Sequence, residues 1–474
     1  MKNVGRLFCC AILVLAGCAT SGEREFLALN YQRAAQVEGP DRNPVLVIPG
    51  LLGSTLRNTT TDEYIWGGFD RVSVNPEREH GLRELALPFA PGIGGQVNAF
   101  DDVEATWVLE RARVRLLGLP FNLNVYAGIL QTLGAGGYRD ETLGTAGAID
   151  YGDGHFTCFQ FAYDWRRDIV ESAQRLHRYV NEKRALVQRE YFERYGVEQA
   201  DVKFDVVAHS MGGLVARYYL MYGDQDLPAD GSLPELTWAG AKNVERVILV
   251  ATPNAGSMLT VNNLVNGLSL GPLQPTYSAA LLGTYPATYQ LLPRANHRVV
   301  WRDTETTVGD LTSVSLWRQL NWGLASPQAD KELQMLLPDV RSAQDRAVVA
   351  EALQARLLLR AKRFHAALDR AATLPDGVQM MLVVGDGEPT AARIVVERGS
   401  GAIEIVDYAD GDGTVLRGSV LNDVRSDSDW APELRTTLDY DFALFLPDTH
   451  KNLTSNTTFT DNILYWLLEH PRAR

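Results

Sequence analysis

A serine between small residues gives the clearest chemical signal in the sequence. Ser210 lies at the centre of residues 208–212 (A-H-S-M-G), after an apolar segment and before a helical pattern. A serine on a sharp turn from a strand into a helix is typical of the nucleophile elbow, where small neighbours allow close packing. Ala208 stands where glycine is usual, but it is also small. The segment therefore predicts that Ser210 is a catalytic nucleophile.

A nucleophilic serine needs a general base, and His450 is the candidate for that role. In the α/β-hydrolase arrangement the order along the chain is serine, acid, histidine, with the later residues at the ends of later strands. His450 lies in a loop just before a final helix predicted over residues 462–468. His297 and His365 precede the last predicted core strands, and His470 lies beside the chain end, so each fits the role less well.

A carboxylate must orient the base, and the segment 407–415 (D-Y-A-D-G-D-G-T-V) offers candidates after an apolar run. Asp412 is the first choice for the acid and Asp410 is the alternative, with Asp386 a more remote one. A calcium-binding loop is a competing interpretation of these aspartates. Such a loop requires a glutamate at its twelfth position, where this sequence has Leu421.

The oxyanion formed during attack on a carbonyl needs backbone N–H donors. One donor is predicted to be Met211, directly after the nucleophile. The second is predicted in residues 47–54 (V-I-P-G-L-L-G-S), a glycine-containing loop after the first apolar run. Leu51 is the expected donor there and Leu52 the alternative. By itself, this loop is also compatible with an ordinary turn at the end of a strand.

The first residues have the pattern of an export signal. Lys2 and Arg6 precede a short apolar run over residues 7–16, and residues 15–18 (L-A-G-C) resemble the bacterial lipoprotein processing box. We therefore expect a lipoprotein signal peptide over residues 1–17 and a lipidated N-terminus and spacer over 18–43, with Cys18 lipidated. This places the protein in a bacterial cell envelope, at the outer membrane if there are two. The alternative is an ordinary signal peptide.

Cysteine count and charge exclude several classes of function. After removal of the signal peptide and lipidation, Cys158 is the one remaining thiol, so the mature chain cannot form an internal disulfide. Together with His155 it cannot complete a four-ligand zinc site. The net charge of −13 disfavours binding to nucleic acid. We predict no metal and no cofactor, since serine-based acyl transfer requires neither.

Short apolar runs alternate with helical patterns. The continuous runs are typical of strands buried on both faces of a parallel sheet, and they cover residues 45–48, 204–208, 247–251 and 380–384. Helices are predicted over residues 167–193 and 345–373. This order predicts an α/β fold with a mostly parallel central sheet flanked by helices. A break in the pattern over residues 256–375 predicts an inserted cap between two core segments, 44–255 and 376–474.

The motifs together resemble the lecithin:cholesterol acyltransferase family, which includes lysosomal phospholipase A2. The matching segments run in family order and cover residues 44–56, 162–166 (A-Y-D-W-R), 208–213, 251–257, 285–293, 412–415 and 450–453. The tetrapeptide Y-D-W-R is the most specific of them, because ordinary lipases share the elbow but not this segment.

The resemblance implies an α/β-hydrolase fold with a cap, and acyl transfer from a phospholipid or another lipid ester at a membrane surface. Ser210 would attack the ester, His450 would move the proton and Asp412 would hold the imidazole. The family also holds the equivalents of Asp164 and Arg166 as a structural salt bridge. The lid disulfide of animal members cannot form in this chain.

Two other functions remain compatible with the sequence. One is hydrolysis of soluble esters, thioesters or polyesters by the same core. The other is a catalytically silent envelope lipoprotein, whose usual signature would be a missing member of the triad. The acyl donor, the acceptor and the oligomeric state leave no mark in the sequence.

Overall fold

A computed structural model describes residues 32–68, 74–90, 101–109, 111–116, 119–124, 126–146, 149–150, 155–271, 274–294, 298–425 and 431–471. The predicted signal peptide, Cys18 and His297 lie outside these residues. Among the helices that are described, none is long and apolar enough to cross a bilayer.

The strands that position the candidate residues are short. In chain order the described strands are β1 (Val45–Ile48), β2 (Ser54–Asn58), β3 (Tyr64–Trp66), β4 (Val103–Val108), β5 (Arg111–Leu116), β6 (Leu119–Asn124), β7 (Thr145–Ala146), β8 (Ile149–Asp150), β9 (Cys158–Gln160), β10 (Phe204–His209), β11 (Val244–Val250), β12 (Leu268–Ser269), β13 (Thr276–Tyr277), β14 (Arg298–Trp301), β15 (Gln379–Gly385), β16 (Glu388–Val396), β17 (Ile403–Gly411) and β18 (Phe442–Leu446).

The α-helices vary from one turn to seven. Those in the described residues are α1 (Gln32–Ala35), α2 (Glu79–Leu85), α3 (Ala127–Ala135), α4 (Ile169–Tyr195), α5 (Met211–Tyr222), α6 (Met258–Asn266), α7 (Ala279–Leu282), α8 (Pro286–Gln290), α9 (Val314–Leu320), α10 (Asp330–Leu336), α11 (Ala343–Leu368), α12 (Arg417–Val420) and α13 (Thr457–Leu468).

Within the described residues, six strands form the central sheet in the order β18, β15, β11, β10, β1, β9. Every neighbouring pair is parallel. All four predicted strands are members of this sheet. The predicted α/β class with a mostly parallel central sheet is therefore confirmed.

Side chains of the central strands alternate between two hydrophobic clusters. On β1, Leu46 and Ile48 pack in one cluster with α4 and α5, while Val45 and Val47 pack in the other with α3 and α13. β1 is thus covered by helices on both faces, which explains why its sequence is a continuous apolar run.

Parallel strands place their carboxyl ends at one edge of the sheet, and the candidate residues gather there. β1 ends directly before Pro49, β10 ends directly before Ser210, and β18 ends four residues before His450. β15 ends at Gly385, where an added Cβ would lie 2.4 Å from the Cβ of Asp412. The topology alone therefore brings the predicted nucleophile, base, acid and oxyanion loop to the same edge.

The last helix differs from its prediction. It begins at Thr457 rather than at residue 462, because the Asn456 side chain accepts hydrogen bonds from the N–H groups of Thr458 and Phe459 at its start. Asparagine is a favourable N-cap, but the polar first turn (T-T-F-T) lacks the apolar periodicity used for the prediction.

The segment predicted as a cap contains α6 to α11 and β12 to β14. Its strand β14 pairs in parallel with β16, which lies beyond residue 375. Its long helix α11 is joined to the core through Arg360, whose Nε donates to the Asp168 carboxylate at 2.6 Å. Asp168 is fully buried, caps α4 and also accepts a hydrogen bond from the Gln290 side chain at 2.8 Å.

The Arg360 contact predicts a measurable effect on stability. Replacing Arg360 with leucine leaves the buried Asp168 carboxylate without its cation, and we expect the free energy of unfolding to fall by about 3 kcal/mol. The control is Arg318→Leu, which removes an ion pair with Glu351 that lies at the surface and should change stability little. The free energies of unfolding of the two variants are compared by urea denaturation followed by circular dichroism. Equal losses would contradict a special contribution of the buried Arg360–Asp168 ion pair.

Candidate active site

Ser210 lies on a strained turn between β10 and α5. Its backbone has φ 55° and ψ −128°, a conformation that costs a side-chain-bearing residue about 1–3 kcal/mol. The Ser210 N–H donates to the Val250 carbonyl at 2.8 Å, which holds the turn against β11. The side chain is thereby presented at the carboxyl edge of the sheet, as a nucleophile elbow requires.

The two glycines after Met211 are required by close packing. A Cβ added at Gly212 would lie 2.3 Å from the Pro49 carbonyl oxygen, and one at Gly213 would lie 1.9 Å from the Thr252 Oγ1. Both distances are far below van der Waals contact. Glycine therefore lets α5 begin directly against the loop after β1 and the loop after β11.

Ser210, His450 and Asp412 form a continuous hydrogen-bonded chain. The Ser210 hydroxyl lies 2.9 Å from His450 Nε2, and His450 Nδ1 lies 2.7 Å from Asp412 Oδ2. The His450 backbone N–H also donates to the Asp412 carbonyl at 2.8 Å, which fixes the two loops together. A neutral imidazole that donates from Nδ1 can accept the serine proton at Nε2.

The surroundings of Asp412 keep its carboxylate ionised. Its second oxygen, Oδ1, accepts hydrogen bonds from the N–H groups of Thr414 at 2.9 Å and Val415 at 2.7 Å. Burial raises the pKa of Asp412, but the nearby His450 and these two hydrogen bonds outweigh burial and hold the pKa below its ordinary value. The alternative acid, Asp410, is exposed on β17. Asp412 is therefore the carboxylate placed beside His450.

The other histidines considered in the sequence have different surroundings. His365 is buried on α11 with its Nε2 donating to the Gln290 carbonyl at 2.9 Å, and burial lowers its pKa well below the ordinary range. His155 contacts Glu190 at 2.6 Å. Cys158 is buried and burial raises the pKa of its thiol, which disfavours the reactive thiolate. In the described ranges, no cluster of three His, Cys, Asp or Glu is arranged to hold a metal.

The loop between β1 and β2 lies directly against the nucleophile. A Cβ added at Gly50 would lie 2.7 Å from the Ser210 Cβ, so the main chain of Gly50 and Leu51 borders the reacting oxygen. Leu52 has φ 62°, and its carbonyl accepts a hydrogen bond from the Trp66 indole at 2.8 Å. The positive φ and this contact fix how the loop turns beside Ser210.

Two backbone N–H groups border this position. Across the described residues, no hydrogen-bond acceptor is found for the N–H of Leu51. Met211 opens α5, and the first N–H groups of a helix have no acceptor within the helix. Leu51 and Met211 therefore lie next in the chain to Gly50 and Ser210, and their role as oxyanion donors stays a prediction.

Side chains of the Y-D-W-R segment donate hydrogen bonds to carbonyl groups at both ends of the same loop. Tyr163 donates its hydroxyl to the Pro49 carbonyl at 2.9 Å, and the Trp165 indole donates to the Ser54 carbonyl at 3.1 Å. Arg166 is fully buried and binds Asp164 and Asp101, each at 2.7 Å. Arg166 also donates to the Leu85 carbonyl at 3.1 Å, so the arginine and its two carboxylates form a buried ion-pair network at the end of α2 rather than contacts to Ser210.

Two residues that sequence reasoning missed lie directly behind Ser210. His209 precedes the nucleophile and is buried, and its Nδ1 lies 2.9 Å from the Tyr126 hydroxyl. His209 could have been noticed from its place in the elbow. Tyr126 comes from a segment about 80 residues earlier with no motif around it, so only the fold brings it to the site.

The buried His209 predicts loss of stability in acid. Burial, and to a smaller degree the nearby His450, lower the pKa of His209 from its ordinary 6.5 to about 3. Between these values the unfolded chain binds a proton that the folded chain does not, so the free energy of unfolding falls as the pH is lowered from about 6.5 towards 3.

The measurement is the melting temperature as a function of pH. We expect His209→Gln to reduce the fall of the melting temperature with falling pH. His80→Gln removes an exposed imidazole and is the matched control, so its pH dependence should stay that of the wild type. An unchanged slope in His209→Gln would contradict the assignment of a neutral, buried His209.

Comparison with known proteins supports the fold and the class of chemistry. The family model of lecithin:cholesterol acyltransferase matches residues 123–334, which confirms the resemblance inferred from the motifs. No curated protein matches the chain.

Among solved structures, the Tle4–Tli4 complex contains a chain with the same overall fold: TM-score 0.55, 14% identity, with 90% of this chain and 98% of that chain covered. Phospholipase PlaB from Legionella pneumophila matches with TM-score 0.28 and 13% identity over 67% of this chain and 52% of its own. Lipase 1 from Pelosinus fermentans matches with TM-score 0.26 and 13% identity over 58% of this chain and 74% of its own. The parallel central sheet, the turn at Ser210 and the order serine, acid, histidine along the chain are those of the α/β-hydrolase fold.

Proposed function

We propose that the chain is a membrane-tethered serine lipid esterase or O-acyltransferase. The starting point is its match to the family model of lecithin:cholesterol acyltransferase. The enzyme moves an acyl group from a phospholipid or another lipid ester to Ser210, and then to water or an alcohol. The observation that carries this proposal is the hydrogen-bonded chain from Ser210 through His450 to Asp412.

The first half of the reaction forms the acyl-enzyme. As the Ser210 oxygen attacks the ester carbonyl, His450 Nε2 takes the hydroxyl proton and Asp412 stabilises the imidazolium. The carbonyl oxygen becomes an oxyanion and accepts hydrogen bonds from the N–H groups of Leu51 and Met211. His450 then returns the proton to the leaving alcohol as the ester bond breaks.

The second half reverses these steps with a new nucleophile. Water or an acceptor alcohol attacks the acyl-Ser210 carbonyl while His450 takes its proton, and the Ser210 oxygen leaves and is reprotonated. Water yields a free fatty acid, whereas an alcohol yields a new ester. The balance between hydrolysis and transfer depends on which acceptor reaches the acyl-enzyme.

Apolar side chains beside the oxyanion loop favour a lipid acyl group. Leu51 and Leu52 are half-buried, so part of each apolar side chain stays exposed in the loop that lies against Ser210. These two side chains offer an apolar surface next to the nucleophile. A long acyl chain gains free energy from such a surface in proportion to the area that it buries.

The proposed tether joins the folded body on the side away from the site. Arg42 stacks on the Tyr138 ring at 4.1 Å and also contacts the Gly136 carbonyl, while Glu38 pairs with Arg139 at 2.9 Å. The chain then enters β1 at its amino end, opposite the carboxyl edge that carries Ser210. The segment from Cys18 to the first described residues can span roughly 45 Å when extended, which leaves the site room to turn towards a membrane.

Lipidation of Cys18 is tested by its replacement. We expect Cys18→Ser to move the protein from the membrane fraction to the soluble fraction and to remove the added mass of the lipid. The same variant should still cleave a short soluble ester, because Cys18 is not part of the triad. Cys158→Ser, at the buried thiol, is the control. This variant should stay in the membrane fraction, which would show that loss of a cysteine alone does not release the protein. Membrane association that survives Cys18→Ser would contradict the tether.

The lipid reaction is tested with vesicles. The full-length chain is incubated with vesicles of phosphatidylcholine and phosphatidylethanolamine that contain a long-chain alcohol, beside the Ser210→Ala variant, and the lipid products are separated. We expect free fatty acid or an acylated alcohol only with Ser210 present. Cleavage of soluble esters without any product from vesicles would contradict the lipid assignment and favour a soluble-ester hydrolase.

A further inference from the structure

A buried hydrogen-bonded chain connects the two loops on either side of Ser210. The Gly50 N–H donates to the Tyr126 hydroxyl oxygen at 2.7 Å, and that hydroxyl lies 2.9 Å from His209 Nδ1. On the other side of the ring, His209 Nε2 lies 3.0 Å from the His450 carbonyl oxygen. The chain thus runs from the loop that carries Leu51 to the loop that carries the catalytic base.

The direction of each hydrogen bond follows from the groups involved. The His450 carbonyl can only accept, so His209 Nε2 carries the proton and donates to it. Nδ1 of the neutral ring is then an acceptor, so the Tyr126 hydroxyl must donate to Nδ1 and its oxygen accepts from Gly50. One protonation pattern therefore satisfies every polar group in the chain.

Burial makes this pattern stable. Tyr126 and His209 are each less than a tenth exposed, and the His209 ring packs against the His450 ring with centroids 4.9 Å apart. A Cβ added at Gly53 would lie 3.0 Å from the Tyr126 hydroxyl, so the whole turn of the oxyanion loop is closed around that oxygen. Buried polar groups that lose a partner are costly, which resists alternative loop positions.

We propose that Tyr126 and His209 are positioning residues that hold the oxyanion loop and the His450 loop in a fixed relation behind Ser210. Neither residue contacts the reacting atoms, and the proposal rests on the proposed acyl transfer at Ser210. Through its contact with Gly50, the pair fixes the position of the neighbouring Leu51 N–H. Through its contact with the His450 carbonyl, the pair fixes the position of the His450 imidazole relative to the Ser210 hydroxyl. Errors of about 1 Å in such placements can reduce rates by about 100-fold.

Tyr126→Phe tests the proposal against Tyr222→Phe as a matched control. Both variants remove one buried tyrosine hydroxyl that makes a hydrogen bond, but the Tyr222 hydroxyl donates to the Ala367 carbonyl at the end of α5 farthest from Ser210. With a soluble p-nitrophenyl ester and the full-length chain, we expect Tyr126→Phe to lower kcat about 10- to 100-fold with KM nearly unchanged. We expect Tyr222→Phe to lower the melting temperature by a similar amount while kcat stays within about threefold.

Two replacements of His209 separate its two contacts. Glutamine can still donate to the His450 carbonyl but offers no acceptor at the place of Nδ1, whereas asparagine keeps that acceptor and loses the donor. We expect each to lower kcat less than His209→Ala does. Because the two residues belong to one hydrogen-bonded chain, the double variant Tyr126→Phe/His209→Ala should be slowed by less than the product of the two single effects.

The wild-type chain and Ser210→Ala are compared first with a fluorophosphonate that labels reactive serines. If wild type does not react at Ser210, the proposed function fails and this inference fails with it. If wild type reacts but Tyr126→Phe is no slower than Tyr222→Phe, or if the effects of Tyr126 and His209 simply multiply, only the positioning role is overturned.

Discussion

Ser210→Ala is expected to lower kcat for ester cleavage by about 10⁵-fold or more, because it removes the atom that carries the acyl group. The residual rate should exceed that in water, since the backbone donors of Leu51 and Met211 remain. The fold should be retained, because the Ser210 N–H contact with Val250 is made by the backbone and does not depend on the side chain.

The measurement is the steady-state rate with a soluble ester, beside the circular dichroism spectrum and melting temperature. Ser172→Ala is the matched control: Ser172 is a buried serine on α4 whose hydroxyl donates to the Asp168 carbonyl. It should keep wild-type kcat. A Ser210→Ala variant that is folded and retains a substantial part of the activity would show that another residue is the nucleophile.

Asp412→Asn is expected to lower kcat by about 10⁴-fold while preserving the structure. The N–H groups of Thr414 and Val415 point at Asp412 Oδ1, so the oxygen of an asparagine would occupy that position. Its NH₂ group would then face His450 Nδ1 and donate to it. The imidazole would be forced to carry its proton on Nε2, where it could no longer accept the proton of Ser210.

Asp410→Asn provides the discriminating control for this prediction. Both aspartates lie in one D-G-D-G segment and both were candidates for the acid, but Asp410 is exposed while Asp412 is buried beside His450. The same isosteric change at Asp410 should leave kcat within about twofold. The rates are compared with a p-nitrophenyl ester; a larger loss from Asp410→Asn than from Asp412→Asn would contradict the assignment of the triad acid.

The central sheet could be predicted because its strands are buried on both faces. β1 is a continuous apolar run, and β10, β11 and β15 contain such runs over residues 206–208, 247–250 and 380–384; the structure divides each run between two hydrophobic clusters. The elbow could be predicted as well, because strain at Ser210 and the close approach of Gly212 to the Pro49 carbonyl restrict the residue types allowed.

Elements with weaker local signals escaped prediction. β18 is an edge strand in which only Leu446 is fully buried, and the start of α13 depends on the Asn456 cap rather than on an apolar stripe. The three-stranded sheet of β14, β16 and β17 brings together segments about 90 residues apart. Pairing over such distances is decided by the tertiary structure and not by local sequence.

The same division holds within the candidate site. Ser210, Asp412 and His450 were expected from residue type and chain order, and the structure brings the three together. Tyr126 has no chemical motif around it, and its contact with His209 arises because α3 packs against the same face of the sheet as Val207 of β10. Residues that position a site, rather than react in it, carry little local signal.

The proposed acyl transfer is tested most directly by trapping the acyl-enzyme. The full-length chain is mixed with phosphatidylcholine vesicles and quenched in acid within the first turnovers, and the peptide that contains Ser210 is analysed by mass spectrometry. We predict that this peptide gains the mass of a fatty acyl group on Ser210, and that the adduct is absent from Ser210→Ala. An acyl group found on another residue, or lipid cleavage without any adduct at Ser210, would contradict the proposed acyl transfer.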